Sequence, residues 1–115
     1  MNDVKDPVKF CEENYPTTTK AFKSLQETDY KTFCKKQMDY GPGNIAMGTP
    51  LATEEDKIFS LGAINVRVND KVQRLLNLVN KHRRAPQNES IEDAYMDLSV
   101  YGLIARIVQL GKWGK

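Results

Sequence analysis

Between Ile64 and Asn80 the chain repeats with helical period in two stripes at once. Ile64, Val68, Val72, Leu75 and Val79 recur at three- and four-residue steps, the spacing of a buried helical face. Arg67, Asp70, Lys71 and Arg74 recur at the same steps. At roughly 100° per residue, this second stripe lies at the flank of the apolar one rather than opposite it. Charges so placed sit at the edge of a core, where water is partly excluded. Two readings follow. Asp70 pairs with Arg67 or Arg74 along the helix, each pair worth a few tenths of a kcal/mol, or the stripe meets something across the helix.

A chain of 115 residues supports one domain with a single core. A hydrophobic content of 40% with 28% charged residues suits a soluble protein and argues against wholesale disorder. The net charge of +2 leaves no strong electrostatic footprint for nucleic acid. Cys11 and Cys34 fit neither a zinc spacing nor a disulfide framework, so reduced thiols in a cytoplasmic setting are expected. No apolar run approaches the roughly 20 residues of a membrane span, and MNDVKDPVKF carries no signal-peptide core. His82, the one histidine, stands among Lys81, Arg83 and Arg84 at a helix end, where the dipole favours cations.

In chain order, Asp6-Pro7 reads as a helix start, and Tyr15-Pro16 ends a short helix or arm over residues 1–16. A longer helix opens at Thr17-Thr18-Thr19 and runs to about Tyr40. Its apolar face is Phe22, Leu25, Phe33, Cys34 and Met38, and Gly41 terminates it. Gly41-Pro42-Gly43-Asn44 is the strongest loop signal. It is either a plain connector or a close approach for a ligand, and it lacks the Gly-Lys-Ser/Thr of a phosphate loop. Thr53-Glu54-Glu55-Asp56 and Ser90-Ile91-Glu92-Asp93 both resemble capping boxes. The first should open a helix to about Lys81, with Gly62 marking a kink or a close helix contact; the second should open one to about Leu110. On the last helix Ala94, Leu98, Tyr101, Ala105 and Val108 form the apolar face, broadened by Ile104 and Ile107. That breadth predicts burial on more than one side, by neighbours or by a second subunit. Gly111 closes the helix, residues 111–115 form a tail, and Trp113 is expected to pack back or lie at an interface. The reading is an all-α compact bundle of about four helices, one helical domain over 1–115, expected to be oligomeric.

Asp93 and Asp97 lie four apart on the flank of the last helix, opposite Asp70 on its antiparallel neighbour. Such carboxylates suit a hard cation, and Mg²⁺ often borrows further ligands from substrate phosphates. Asp70, Asp93 and Asp97 are therefore candidate metal residues. Arg67, Lys71 and Arg74 are candidate phosphate contacts, because guanidinium groups match phosphate oxygens in pairs. An interhelical ion-pair network satisfies the same pattern, and Asp93 has a simpler role as a capping residue.

Three blocks in order resemble a family. Lys36, Asp39, Tyr40 and Gly41 match Lys-x-x-Asp-Tyr-Gly; Asp70, Lys71, Arg74 and Leu75 match Asp-Lys-x-x-Arg-Leu; Asp93, Asp97 and Tyr101 match Asp-x-x-x-Asp-x-x-x-Tyr. The pattern, over roughly Phe33–Arg106, resembles the nucleotide modification associated proteins of phages and bacteria, which are in turn similar to MazG-like all-α nucleotide pyrophosphohydrolases. The resemblance implies a nucleotide or nucleotide-derived messenger as ligand, contacted by Lys36, Asp39, Tyr40, Arg67, Lys71, Arg74 and Tyr101. It also implies a role in sequestering a defence signal or serving nucleotide modification, in the host cytoplasm if the chain is phage-encoded. The MazG-like enzymes hold Mg²⁺ with Glu-x-x-Glu and Glu-x-x-Asp. Here the first of those positions carries Arg67, so the metal motif is incomplete. Three alternatives stay open: a nucleotide-binding protein, a Mg²⁺-dependent pyrophosphohydrolase, and a helical oligomerisation or adaptor domain.

Overall fold

The computed structural model describes residues 6–115, so the first five residues of the expected N-terminal arm lie outside it. The described chain is all-helical, with no strand. Helix α1 (Pro7–Asn14) and helix α2 (Pro16–Tyr40) are followed by a single turn, α3 (Gly43–Ala46). Helix α4 (Glu54–Leu75) continues into a wider π-helical stretch, Leu76–Lys81, and helix α5 (Ile91–Gln109) ends the fold.

Local side-chain chemistry sets most of these boundaries. The Asp6 carboxylate accepts the backbone N–H groups of Val8 and Lys9, two of the donors a helix start leaves unpaired. Thr53 accepts the N–H of Asp56, while the Asp56 carboxylate reaches back to the N–H of Ala52. Ser90 accepts the N–H of Asp93 in the same way. Gly41 adopts the expected left-handed conformation, φ 67°. At the end of α5, Gly111 (φ 71°) donates its N–H to the Val108 carbonyl and Lys112 donates to that of Ile107, the paired hydrogen bonds of a Schellman ending. The chain therefore turns back after Gly111, and the last residues are not a free tail. Trp113 is buried and its indole N–H donates to the Pro42 carbonyl at 3.0 Å.

By its internal packing the chain divides into two units, with the division at Lys35 inside α2 rather than at the Tyr15-Pro16 break. In the second, Lys36–Lys115, α4 packs along α5, and α3 lies on α4. Its core is Ile64, Leu75 and Leu78 against Ala94, Ile104 and Val108, closed by Ile45, Ala46 and Trp113. Two departures from the helical pattern have physical causes. Leu78, not Val79, is the inward residue after Leu75. From Leu76 the chain winds with longer bonds, His82 donating to Asn77, so the 3.6-residue register no longer holds. Gly62 lies inside the continuous α4 and marks no close helix contact, since a Cβ there would find nothing within 4 Å.

The first unit, up to Lys35, is a helical hairpin of α1 and most of α2. None of its described residues is buried. The apolar face expected on α2 forms in register, but Phe22, Leu25 and Cys34 on it are exposed and Phe33 is half-buried.

Candidate functional site

The flanking stripe of α4 does not pair with itself. Its cations reach across to three other segments, one per turn. Arg67 donates to the Asn44 carbonyl of α3 at 3.0 Å. One turn on, Lys71 extends its ammonium to Asp97 of α5 at 3.0 Å. One turn further, Arg74 donates to the carbonyls of Ser90, at 3.1 Å, and Glu89, which fixes the turn into α5. Arg67 and Arg74, expected to meet phosphate, are thus engaged with backbone oxygens. Such carbonyls, turned away from regular ladders, need donors, and a guanidinium fork supplies them in a fixed geometry.

Lys71 is the centre of the remaining charges. Its ammonium lies between the Asp97 carboxylate and the Glu89 carboxylate, at 3.0 and 3.5 Å. Lys36, from the last turns of α2, approaches the other oxygen of Asp97 at 3.5 Å. Asp97 is the most enclosed member, its side chain 17% exposed, and Lys71 follows at 21%. Lys36 is 51% exposed and opens the cluster to solvent. The hydrogen bond to Asp97 holds the Lys71 ammonium above its ordinary pKa of 10.5, with the charges of Asp97 and Glu89 adding to it against the opposing effect of burial.

Of the residues singled out in sequence, Lys36, Lys71 and Asp97 are brought together, with Glu89 joining them. Tyr101 is half-buried one turn beyond Asp97 on α5. Asp39 and Tyr40 are exposed at the end of α2. Asp70 is exposed and pairs with neither Arg67 nor Arg74. Asp93 is half-buried in the first turn of α5, its N–H capped by Ser90.

Asp70, Asp93 and Asp97 form no shared cluster: among the described residues, no three histidine, cysteine or acidic side chains are placed together to hold a metal ion. The two carboxylates that do converge, Glu89 and Asp97, have the Lys71 ammonium between them.

Three groups fix the Pro42–Ile45 loop, and of these sequence reasoning missed Ser60 altogether and gave Arg67 a different partner. Ser60, fully buried, donates its hydroxyl to the Ile45 carbonyl at 2.6 Å. With Arg67 on Asn44 and Trp113 on Pro42, it clamps the Pro42–Ile45 backbone from three sides. Ser60 stands four residues before Ile64, on the apolar stripe extended by one turn, and a hydroxyl on that stripe was the available signal.

No family model matches this chain, and comparison with curated proteins and with solved structures likewise finds no match.

Proposed function

We propose that this chain binds a nucleotide or a nucleotide-derived messenger, and that its phosphates are met by Lys36 and Lys71. The observation that carries the reading is the convergence of two ammonium groups from separate helices on one enclosed carboxylate. Each ammonium has three N–H donors. Lys71 shares its ammonium between Asp97 and Glu89, whereas Lys36 pairs with Asp97 alone and is half exposed, so it offers the more open ammonium to an arriving anion. The sequence blocks that resemble the nucleotide modification associated proteins supply the choice of a nucleotide over another anion. Tyr40, exposed four residues after Lys36, is a surface on which a base can stack. A phage-type protein that sequesters a messenger in the host cytoplasm is the biological setting this reading implies. The hydrolase alternative gains nothing from the site, because Lys71 fills the space between its acids.

A recovery experiment tests this. Pure protein is incubated with Mg²⁺ and a panel of nucleotides that includes cyclic dinucleotides and ADP-ribose derivatives. The free fraction and the heat-released fraction are then chromatographed. Depletion of one compound, with intact recovery on heating and loss of depletion in Lys36→Ala and Lys71→Ala, is the expected result. Converted product would establish an enzyme instead. No depletion of any compound would remove the proposal and leave the cluster as an interhelical ion-pair network.

A further inference from the structure

We infer that the α1–α2 hairpin is a dimerisation arm, its apolar face covered by the same hairpin of a second copy of this chain. The hairpin is helical along almost its whole length and has no core. Its described residues include none that is buried, whereas the second unit buries nine hydrophobic side chains. Two helices in that condition do not hold themselves together. An isolated helix is marginal in water, and most helical stability in proteins comes from packing an apolar face. The lengths are also unmatched. At 1.5 Å per residue, the 8 residues of α1 span about 12 Å beside the roughly 37 Å of the 25-residue α2. Most of α2 therefore has no cover from α1.

The uncovered surface has the size and chemistry of half an interface. Phe22, Leu25, Tyr30 and Val8 are 64, 55, 63 and 63% exposed. Phe22 and Val8 border an open apolar groove of about 370 Å³ between α1 and α2. With aromatic side chains carrying about 150–250 Å² each and aliphatic ones somewhat less, these four expose roughly 400 Å² of apolar surface. A standard interface takes about 800 Å² from each partner, a little over half of it apolar. The charge balance favours a like partner. Residues 6–35 hold five acids (Asp6, Glu12, Glu13, Glu27, Asp29) and five bases (Lys9, Lys20, Lys23, Lys31, Lys35), so two copies meet without net repulsion. Lys23 with Glu12 and Lys31 with Glu27 already pair within the hairpin. An arm of zero net charge offers no net electrostatic steering toward a charged foreign partner, and a two-fold axis uses the one patch twice.

Sedimentation equilibrium on the full chain tests the assignment, with Phe22→Glu/Leu25→Glu as the disrupting variant and Tyr30→Phe as the conservative one. The expected result is a dimer for wild type and Tyr30→Phe, and a monomer for the double variant. Helical circular dichroism from α1 and α2 should fall with dissociation. Trp113, the one tryptophan, reports the second unit alone. Its fluorescence should stay that of a buried indole, which separates loss of the dimer from loss of the fold. A wild-type monomer would overturn the inference, as would a dimer that survives both glutamates.

Discussion

Replacing Asp97 by Asn should lower the stability of the second unit and raise its affinity for phosphate. Lys71 and Asp97 stand 3.0 Å apart, with side chains 21% and 17% exposed. At an effective dielectric of about 20, unit charges at that distance attract by about 5 kcal/mol, most of which desolvation offsets. Exposed pairs are worth about 0–1 kcal/mol, and breaking a fully buried pair costs about 3–5 kcal/mol. The Asp97 pair lies between these limits, so Asp97→Asn should cost about 2 kcal/mol. With roughly 2.1 cal/mol/K of unfolding entropy per residue over the second unit, that is about 12 °C in its Tm. Lys71→Met should cost a similar amount, and the double variant should recover about 1 kcal/mol as coupling. The ligand arm runs the other way. Asp97 competes with a phosphate for both ammonium groups, so its neutralisation should tighten binding of inorganic phosphate by about 1–2 kcal/mol, five- to thirty-fold. Lys71→Met should weaken it. Urea melts and calorimetric phosphate titrations of the four proteins give both arms. A coupling near zero would show the pair to be screened by solvent. Coupling with unchanged phosphate affinity would show it to be structural alone, against the function proposed.

Three further outcomes follow from the same geometry. The stability difference between wild type and Lys71→Met should be full below pH 10.5, where the lysine is charged in both states. It should close as pH rises through the higher folded value, and urea melts along an alkaline series read it. Ser60→Ala leaves the buried Ile45 carbonyl without its donor and should cost about 1–2 kcal/mol, seen as a lower denaturation midpoint. Gly114→Ala demands a left-handed alanine (φ 74°) whose Cβ would meet that of Pro42 at 3.0 Å. About 1–2 kcal/mol of backbone strain should loosen the Trp113 contact and shift its fluorescence to the red.

What the sequence makes legible is the chemistry that closes within a few residues. The caps at Asp6, Thr53 and Ser90 and the glycine endings at Gly41 and Gly111 each involve groups two to five positions apart, and each stands where the sequence places it. What it leaves open depends on groups far along the chain. The α3 turn opens on glycine and asparagine, both poor helix formers; it is held by Ser60, Arg67 and Trp113, up to 71 residues away. The π-helical winding of Leu76–Lys81 contains no proline or glycine to announce it. On α2 the apolar period forecasts a covered face, but period carries no information about the cover, and no residue of that helix is buried.

The flanking stripe shows the same division at the candidate site. Periodicity puts Arg67, Asp70, Lys71 and Arg74 on one edge of α4, and that edge does face other segments. It cannot tell a cation awaiting phosphate from one already holding a carbonyl. Side-chain chemistry makes that distinction once the fold is known. The two guanidiniums, planar and forked, are spent on backbone oxygens, and the ammonium of Lys71 is placed between carboxylates. A phosphate contact through Arg74 would therefore have to break the turn into α5, whereas one through Lys71 and Lys36 competes only with their carboxylate partners. Arg74→Met separates these cases. It should cost about 1 kcal/mol by releasing the Glu89 and Ser90 carbonyls to water, and leave phosphate affinity within twofold of wild type. A loss of affinity equal to that of Lys71→Met, without loss of stability, would move the binding surface one turn along α4 and return Arg74 to the role its position in the sequence first suggested.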